Sequence, residues 1–144
     1  MSNRYVVAYD GSASARRAVD HAIERAKQSG ASIVLTHVLE WSPYSFLTPE
    51  ELEERHKRRR EEMERARTAV VEPILEHLTN NKLEVTVEIR YGNITEALIA
   101  LAKEVDAAQI IIGRTGQSTA IARLFGSVAG SLAQISPVPV TIVP

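Results

Sequence analysis

A chain of 144 residues, 44% apolar and 24% charged, has room for one domain (1–144) with a sizeable core and too little for two. Its net charge of −1 supplies no field to draw in nucleic acid or an anionic membrane. The absence of cysteine excludes disulfides, thiol catalysis and thiolate metal sites, and is compatible with a cytoplasmic location.

In chain order, Met1-Ser2-Asn3-Arg4 runs straight into a strand pattern without signal-peptide character. No apolar run approaches the roughly 18 residues of a membrane span. Tyr5-Val6-Val7-Ala8-Tyr9 is a run of β-formers, the pattern of a buried parallel strand. Asp10-Gly11-Ser12 stops it. Ala15, Ala18, Val19, Ala22, Ile23 and Ala26 then recur at three and four, the stripe of a helix packed closely on a sheet. Ser12 or Ser14 is its N-cap and Gly30 its C-terminal stop. Ile33 to Leu39 is a second buried strand. The loop from Glu40 to Pro49 carries Trp41, Tyr44 and Phe46, rings that either pin the loop to the domain or cover a planar ligand.

Glu50 to Leu78 is one long helical pattern, heavily charged in its first half. Glu51/Arg55, Glu53/Lys57, Glu54/Arg58 and Glu61/Arg65 are four apart with the acid first, the favourable order for exposed pairs. Lys57-Arg58-Arg59-Arg60 is flanked by glutamates and reads as a solvated face, not a nucleic-acid contact. Pro73 lacks an N–H and crowds the preceding turn, so a kink or break is expected there. Leu83 to Ile89 alternates apolar and polar, the pattern of an edge strand with one wet face. Asn93-Ile94-Thr95-Glu96 has capping-box character and opens a helix with the stripe Ile94, Leu98, Leu101, Ala102 and Val105. Gln109 to Ile112 is a fourth strand. Pro137 to Val143 closes the chain as a fifth, its prolines suiting an edge because they cannot donate to a ladder.

Strands alternating with helices imply a parallel sheet covered on both faces, with a crevice at the carboxyl ends of the strands where their order reverses. The chemistry concentrates there. Gly113-Arg114-Thr115-Gly116, nine residues, then Gly126-Ser127 join the fourth strand to a helix running from Val128 to Ile135. A glycine-rich turn before a helix N-terminus can aim backbone N–H groups at one anion. Ser127 would add a hydroxyl. The plain alternative is a strand-to-loop turn followed by a helix boundary. Asp10, at the end of the first strand, is either a turn former or an acceptor for ribose hydroxyls or a cation. His21, His37, His56 and His77 stand on separate elements without ligand spacing, and His37 reads as a packed core residue.

Val6 to Ser12, Thr36-His37-Val38, the G-x2-G-x9-G-S element and Pro137-Val138-Pro139-Val140 together resemble the universal stress protein family across essentially the whole chain. The glycine element marks its ATP-binding branch. The resemblance implies an open five-stranded parallel sheet in the order 3-2-1-4-5, of the adenine nucleotide alpha hydrolase-like type. It implies that Ala8 and the Val38 backbone border adenine and that Asp10 reaches the ribose. Ile112, Gly113, Gly116, Gln117, Ser118, Gly126, Ser127 and Val128 then line the phosphates, with Arg114 on the same turn. Tyr9 is bulkier than the family usually has before its aspartate, which bears on the base and not on the phosphates.

The expected function is therefore a regulatory stress-response module that binds ATP, with or without Mg²⁺, and hydrolyses it slowly or not at all. The alternatives are a weak ATPase or phosphotransferase, and a nucleotide-independent interaction protein. Rapid phosphoryl transfer needs a clamp of lysine, arginine and metal, and this turn is followed by Gln117-Ser118 where a Walker motif has lysine. A final edge strand with Val138, Val140, Ile142 and Val143 and no lysine or glutamate is a pairing template. Together with the resemblance it points to a homodimer through Val138 to Val143.

Overall fold

The computed structural model describes residues 3–40, 48–115 and 127–144. Five strands, β1 (Arg4–Ala8), β2 (Ser32–Glu40), β3 (Val85–Gly92), β4 (Gln109–Gly113) and β5 (Val140–Val143), form one sheet in the order β3-β2-β1-β4-β5. All four ladders are parallel, with Val6 facing Val34 on one side and Ile110 on the other. The α-helices among the described residues are α1 (Ala13–Ser29), α2 (Pro49–Ala66), α3 (Glu72–Asn80), α4 (Ile94–Glu104) and α5 (Ser127–Ile135).

The sheet is buried on both faces, which is why its central strands read as unbroken apolar runs. Tyr5, Val7, Ile33, Leu35 and Ile111 pack with α1 and α3 through Val19, Ile23, Ile74 and Leu78. Val6, Val34, Ile110 and Ile112 pack on the other face with Leu98, Leu101 and Leu132 of α4 and α5. The alanine stripe of α1 lets its axis approach the sheet, with Ala15, Ala18, Ala22 and Ala26 all buried. Caps fall where side-chain chemistry puts them. Ser12 accepts the Ala15 N–H at 3.1 Å and Asn93 accepts that of Glu96 at 3.0 Å. Gly30 takes the left-handed C-cap at φ 74°.

One expectation changes and one is met. The last strand is shorter than its sequence pattern, because Pro137 and Pro139 precede β5 and the ladder begins at Val140. The interruption expected from Pro73 is present, ahead of the proline and not at it. Ahead of it the chain widens into a π turn, Arg67–Val71, in which the Glu72 N–H reaches the Arg67 carbonyl. This five-residue spacing inserts the extra residue that accommodates a proline at the start of α3. Of the four acid-first pairs, Glu54 and Arg58 lie within ion-pair distance, at 3.9 Å and well exposed. The Trp41, Tyr44 and Phe46 loop lies outside the described residues.

Candidate functional site

A cavity of about 770 Å³ opens at the carboxyl ends of β1, β2 and β4, within the range of about 300–1,000 Å³ usual for small-molecule sites. Crossovers run from each strand's carboxyl end to a helix, so the loops and helix starts gather at this rim. Ala8 and Asp10 come from β1 and the residues after it, Val38 from β2, and Ile112, Gly113 and Arg114 from β4 and its exit. Val128 closes the rim from the first turn of α5. These seven residues, singled out in the sequence from four separated segments, share one space. Gly116, Gln117, Ser118 and Gly126 lie outside the described residues, as does the Ser127 side chain.

The start of the glycine turn is fixed by bonds that point away from the cavity's interior chemistry. The Arg114 N–H donates to the Val143 carbonyl at 2.7 Å, and the Thr115 N–H donates to Ser14 Oγ at 3.3 Å. Both donors are already used within the fold, so neither is among the N–H groups left for an anion. Ser14, 2% exposed, also donates its hydroxyl to the Val143 carbonyl at 3.2 Å. It ties the start of α1 to the ends of β4 and β5. Gly113 is needed for this junction and not for a left-handed turn. A Cβ there would stand 2.5 Å from Ser14 Oγ, 2.7 Å from the Ser14 carbonyl carbon and 2.8 Å from the Ala15 nitrogen. The expectation that Gly113 serves backbone freedom is thus corrected: its φ is not positive, and close packing against α1 requires the glycine.

Asp10 Oδ1 accepts the Ser12 N–H at 2.9 Å, an Asx turn that turns the chain from β1 into α1 while the carboxylate lines the cavity. His37 lies on the same rim, 9% exposed, and its Nδ1–H donates to the Tyr9 carbonyl at 2.7 Å. Tyr9 N–H in turn reaches the Thr36 carbonyl at 2.8 Å. His37 is therefore the hydrogen-bonded core residue its strand position suggested, and it also borders the cavity. Burial holds the Tyr9 phenol above its usual pKa.

The wall contributed by α2 and the π turn was not read from the sequence. Glu62, Arg65, Ala66, Ala69 and Val70 line the cavity. Their stretch reads in the sequence only as part of the helical pattern Glu50 to Leu78, and nothing in its spacing distinguishes Glu62 from the glutamates facing water. The contact that turns it inward comes from β3. Tyr91 donates its hydroxyl to Glu62 Oε2 at 2.9 Å, and the Arg59 guanidinium lies 4.5 Å above the Tyr91 ring. The bond to Glu62 raises the Tyr91 pKa. No helix among the described residues is long and apolar enough to cross a membrane.

A family model described as the universal stress protein family matches residues 1–144. Among solved structures, a universal stress protein in complex with cAMP is 26% identical, with 99% of this chain and 97% of that chain covered and a TM-score of 0.69. Universal stress protein UspA from Lactobacillus plantarum is 19% identical, with 99% and 97% covered and a TM-score of 0.72. A universal stress protein from Archaeoglobus fulgidus in complex with dAMP is 22% identical, with 100% and 98% covered and a TM-score of 0.64. The last two likenesses bear on the fold alone. No curated protein matches the sequence.

Proposed function

The chain belongs to the universal stress protein family, and we propose that it binds an adenine nucleotide, ATP with or without Mg²⁺, as a nucleotide-dependent stress-response module. One observation carries the reading. Ala8, Asp10, Val38, Ile112, Gly113 and Val128 line a single cavity large enough for a nucleotide, at the strand ends where open α/β sheets take their ligands. The family relative holding cAMP supports the adenine ring as the base. In this reading adenine lies against Ala8 and Val38 at the ends of β1 and β2, Asp10 takes the ribose, and the phosphates lie toward β4 and the start of α5.

Hydrolysis in this reading is slow or absent. The basic side chains lining the cavity among the described residues are Arg65 and Arg114, and no lysine joins them in the clamp that rapid phosphoryl transfer uses. The test of the assignment is mass spectrometry of whatever a freshly purified sample releases on denaturation, followed by calorimetric titration with ATP. An adenine nucleotide in the first and saturable heat in the second are expected. A ligand-free sample that gives no heat with ATP would end the proposal.

We also infer that two copies pair through the edge strand. β5 lies at the end of the sheet, Ile142 is 38% exposed, and Val138, Val140 and Val143 are half-buried. A two-fold axis beside the strand would join two such edges antiparallel and satisfy their open backbone groups. Light scattering of the unmodified protein at micromolar concentration should give a dimer mass. Val140→Lys sets two like charges at that seam and should shift the population to monomer; a dimer that survives it unchanged is not joined through β5.

A further inference from the structure

We propose that the Glu62 carboxylate is the determinant by which this cavity selects a base bearing an exocyclic amino group. The inference rests on the nucleotide reading above and names the residue that would decide which purine enters.

The position of Glu62 follows from strand order. Tyr91 faces Leu39 across the β2–β3 ladder, so the Tyr91 hydroxyl meets α2 beside the end of β2, where Val38, Leu39 and Glu40 line the cavity. In the order β3-β2-β1-β4, β3 stands three strand spacings, roughly 14 Å, from β4 and the glycine turn. Glu62 therefore borders the end of the cavity remote from the phosphates, which is the end left for the base.

The chemistry of that end is mostly apolar. Val38, Leu39, Ala66 and Val70 provide surface for a flat ring, with Glu40 and Arg65 also among the lining. Glu62 adds an acceptor among them. Its Oε2 accepts the Tyr91 hydroxyl at 2.9 Å, which fixes the carboxylate plane and leaves Oε1 to accept a second donor. A carboxylate oxygen held in one orientation favours an N–H₂ group and repels a carbonyl oxygen. Adenine carries an amino group at C6, and hypoxanthine carries a carbonyl there. Discrimination of this kind is strong when a positioned polar group would lose its partner. A hydrogen bond to a carboxylate corresponds to roughly ten-fold or more in affinity.

The experiment is a calorimetric comparison of ATP with ITP on three proteins. The unmodified protein should bind ATP at least about ten-fold more tightly than ITP. Glu62→Gln, whose amide can turn its N–H₂ toward a carbonyl, should bring the two affinities within about three-fold by weakening ATP and strengthening ITP. Tyr91→Phe keeps the carboxylate and removes only its anchor. It should weaken ATP yet preserve the sign of the preference, which separates base selection from a general loosening of α2. Equal binding of ATP and ITP by the unmodified protein, or an unchanged ratio in Glu62→Gln, overturns the inference and leaves nucleotide binding standing. If the unmodified protein binds neither triphosphate, the nucleotide reading itself falls, and the inference with it.

Discussion

Replacing Gly113 by alanine is expected to lower the melting temperature by roughly 5–10 °C, the consequence of overpacking that costs about 1–3 kcal/mol or somewhat more. The added methyl carbon meets Ser14 Oγ at 2.5 Å, and the next two atoms it meets, at 2.7 and 2.8 Å, belong to the α1 backbone. A flexible side chain could swing away from such a contact. This one cannot, because Ser14 is bonded to Val143 on one side and to Thr115 on the other. Relief requires moving the first turn of α1 off β4, and Ala15 of that turn lines the cavity. Ser14→Ala should not rescue the variant, since both backbone contacts persist when the hydroxyl is gone. Differential scanning calorimetry of Gly113→Ala decides the matter: an unchanged melting temperature would mean that β4 and α1 are not in contact there.

Gly113 also shows where reading the sequence stops. Its place in a strand–turn–helix pattern is legible in the spacing of Gly113, Gly116 and Gly126, and so is its place at the cavity rim. The reason for a glycine is not legible. The pattern pointed to backbone freedom, whereas the close neighbour is Ser14, 99 residues earlier in the chain and brought there by β1 pairing with β4. The strands and amphipathic helices were readable because burial on one or two faces imposes a period on neighbouring residues. Glu62 was not, because the bond that turns it toward the cavity comes from Tyr91 in another element. The π turn before Pro73 falls between these cases. Proline announced an irregularity, but which of several ways the helix would absorb it depended on Val71, Ile74 and Leu78 having to meet the sheet. The N–H groups of Arg114 and Thr115 make the same point. A glycine-rich turn suggests donors aimed at an anion, and only the neighbours Val143 and Ser14 reveal that these two are already bonded.

The second large effect concerns Asp10, where two roles rest on one carboxylate and can be separated. Its Oδ1 holds the Ser12 N–H at 2.9 Å, and the group lines the cavity between β1 and the N-terminus of α1. Asp10→Ala removes both roles. It should weaken ATP by roughly ten- to one-hundred-fold, the range for a hydrogen bond to a charged group, and cost about 1 kcal/mol of stability through the lost turn bond. Asp10→Asn retains a side-chain oxygen for the Ser12 N–H and gives up the charge. It keeps the turn bond, while its affinity for ATP falls roughly ten-fold, because a neutral bond to a ribose hydroxyl is about half as strong as a charge-assisted one. Titrations with and without Mg²⁺ then assign the charge. A deficit that appears only with the cation present places Asp10 on the metal, and a deficit of equal size in both series places it on the sugar. If ATP binds all three proteins alike under both conditions, Asp10 is not a ligand of the nucleotide, and the ribose must find its acceptor elsewhere along the rim.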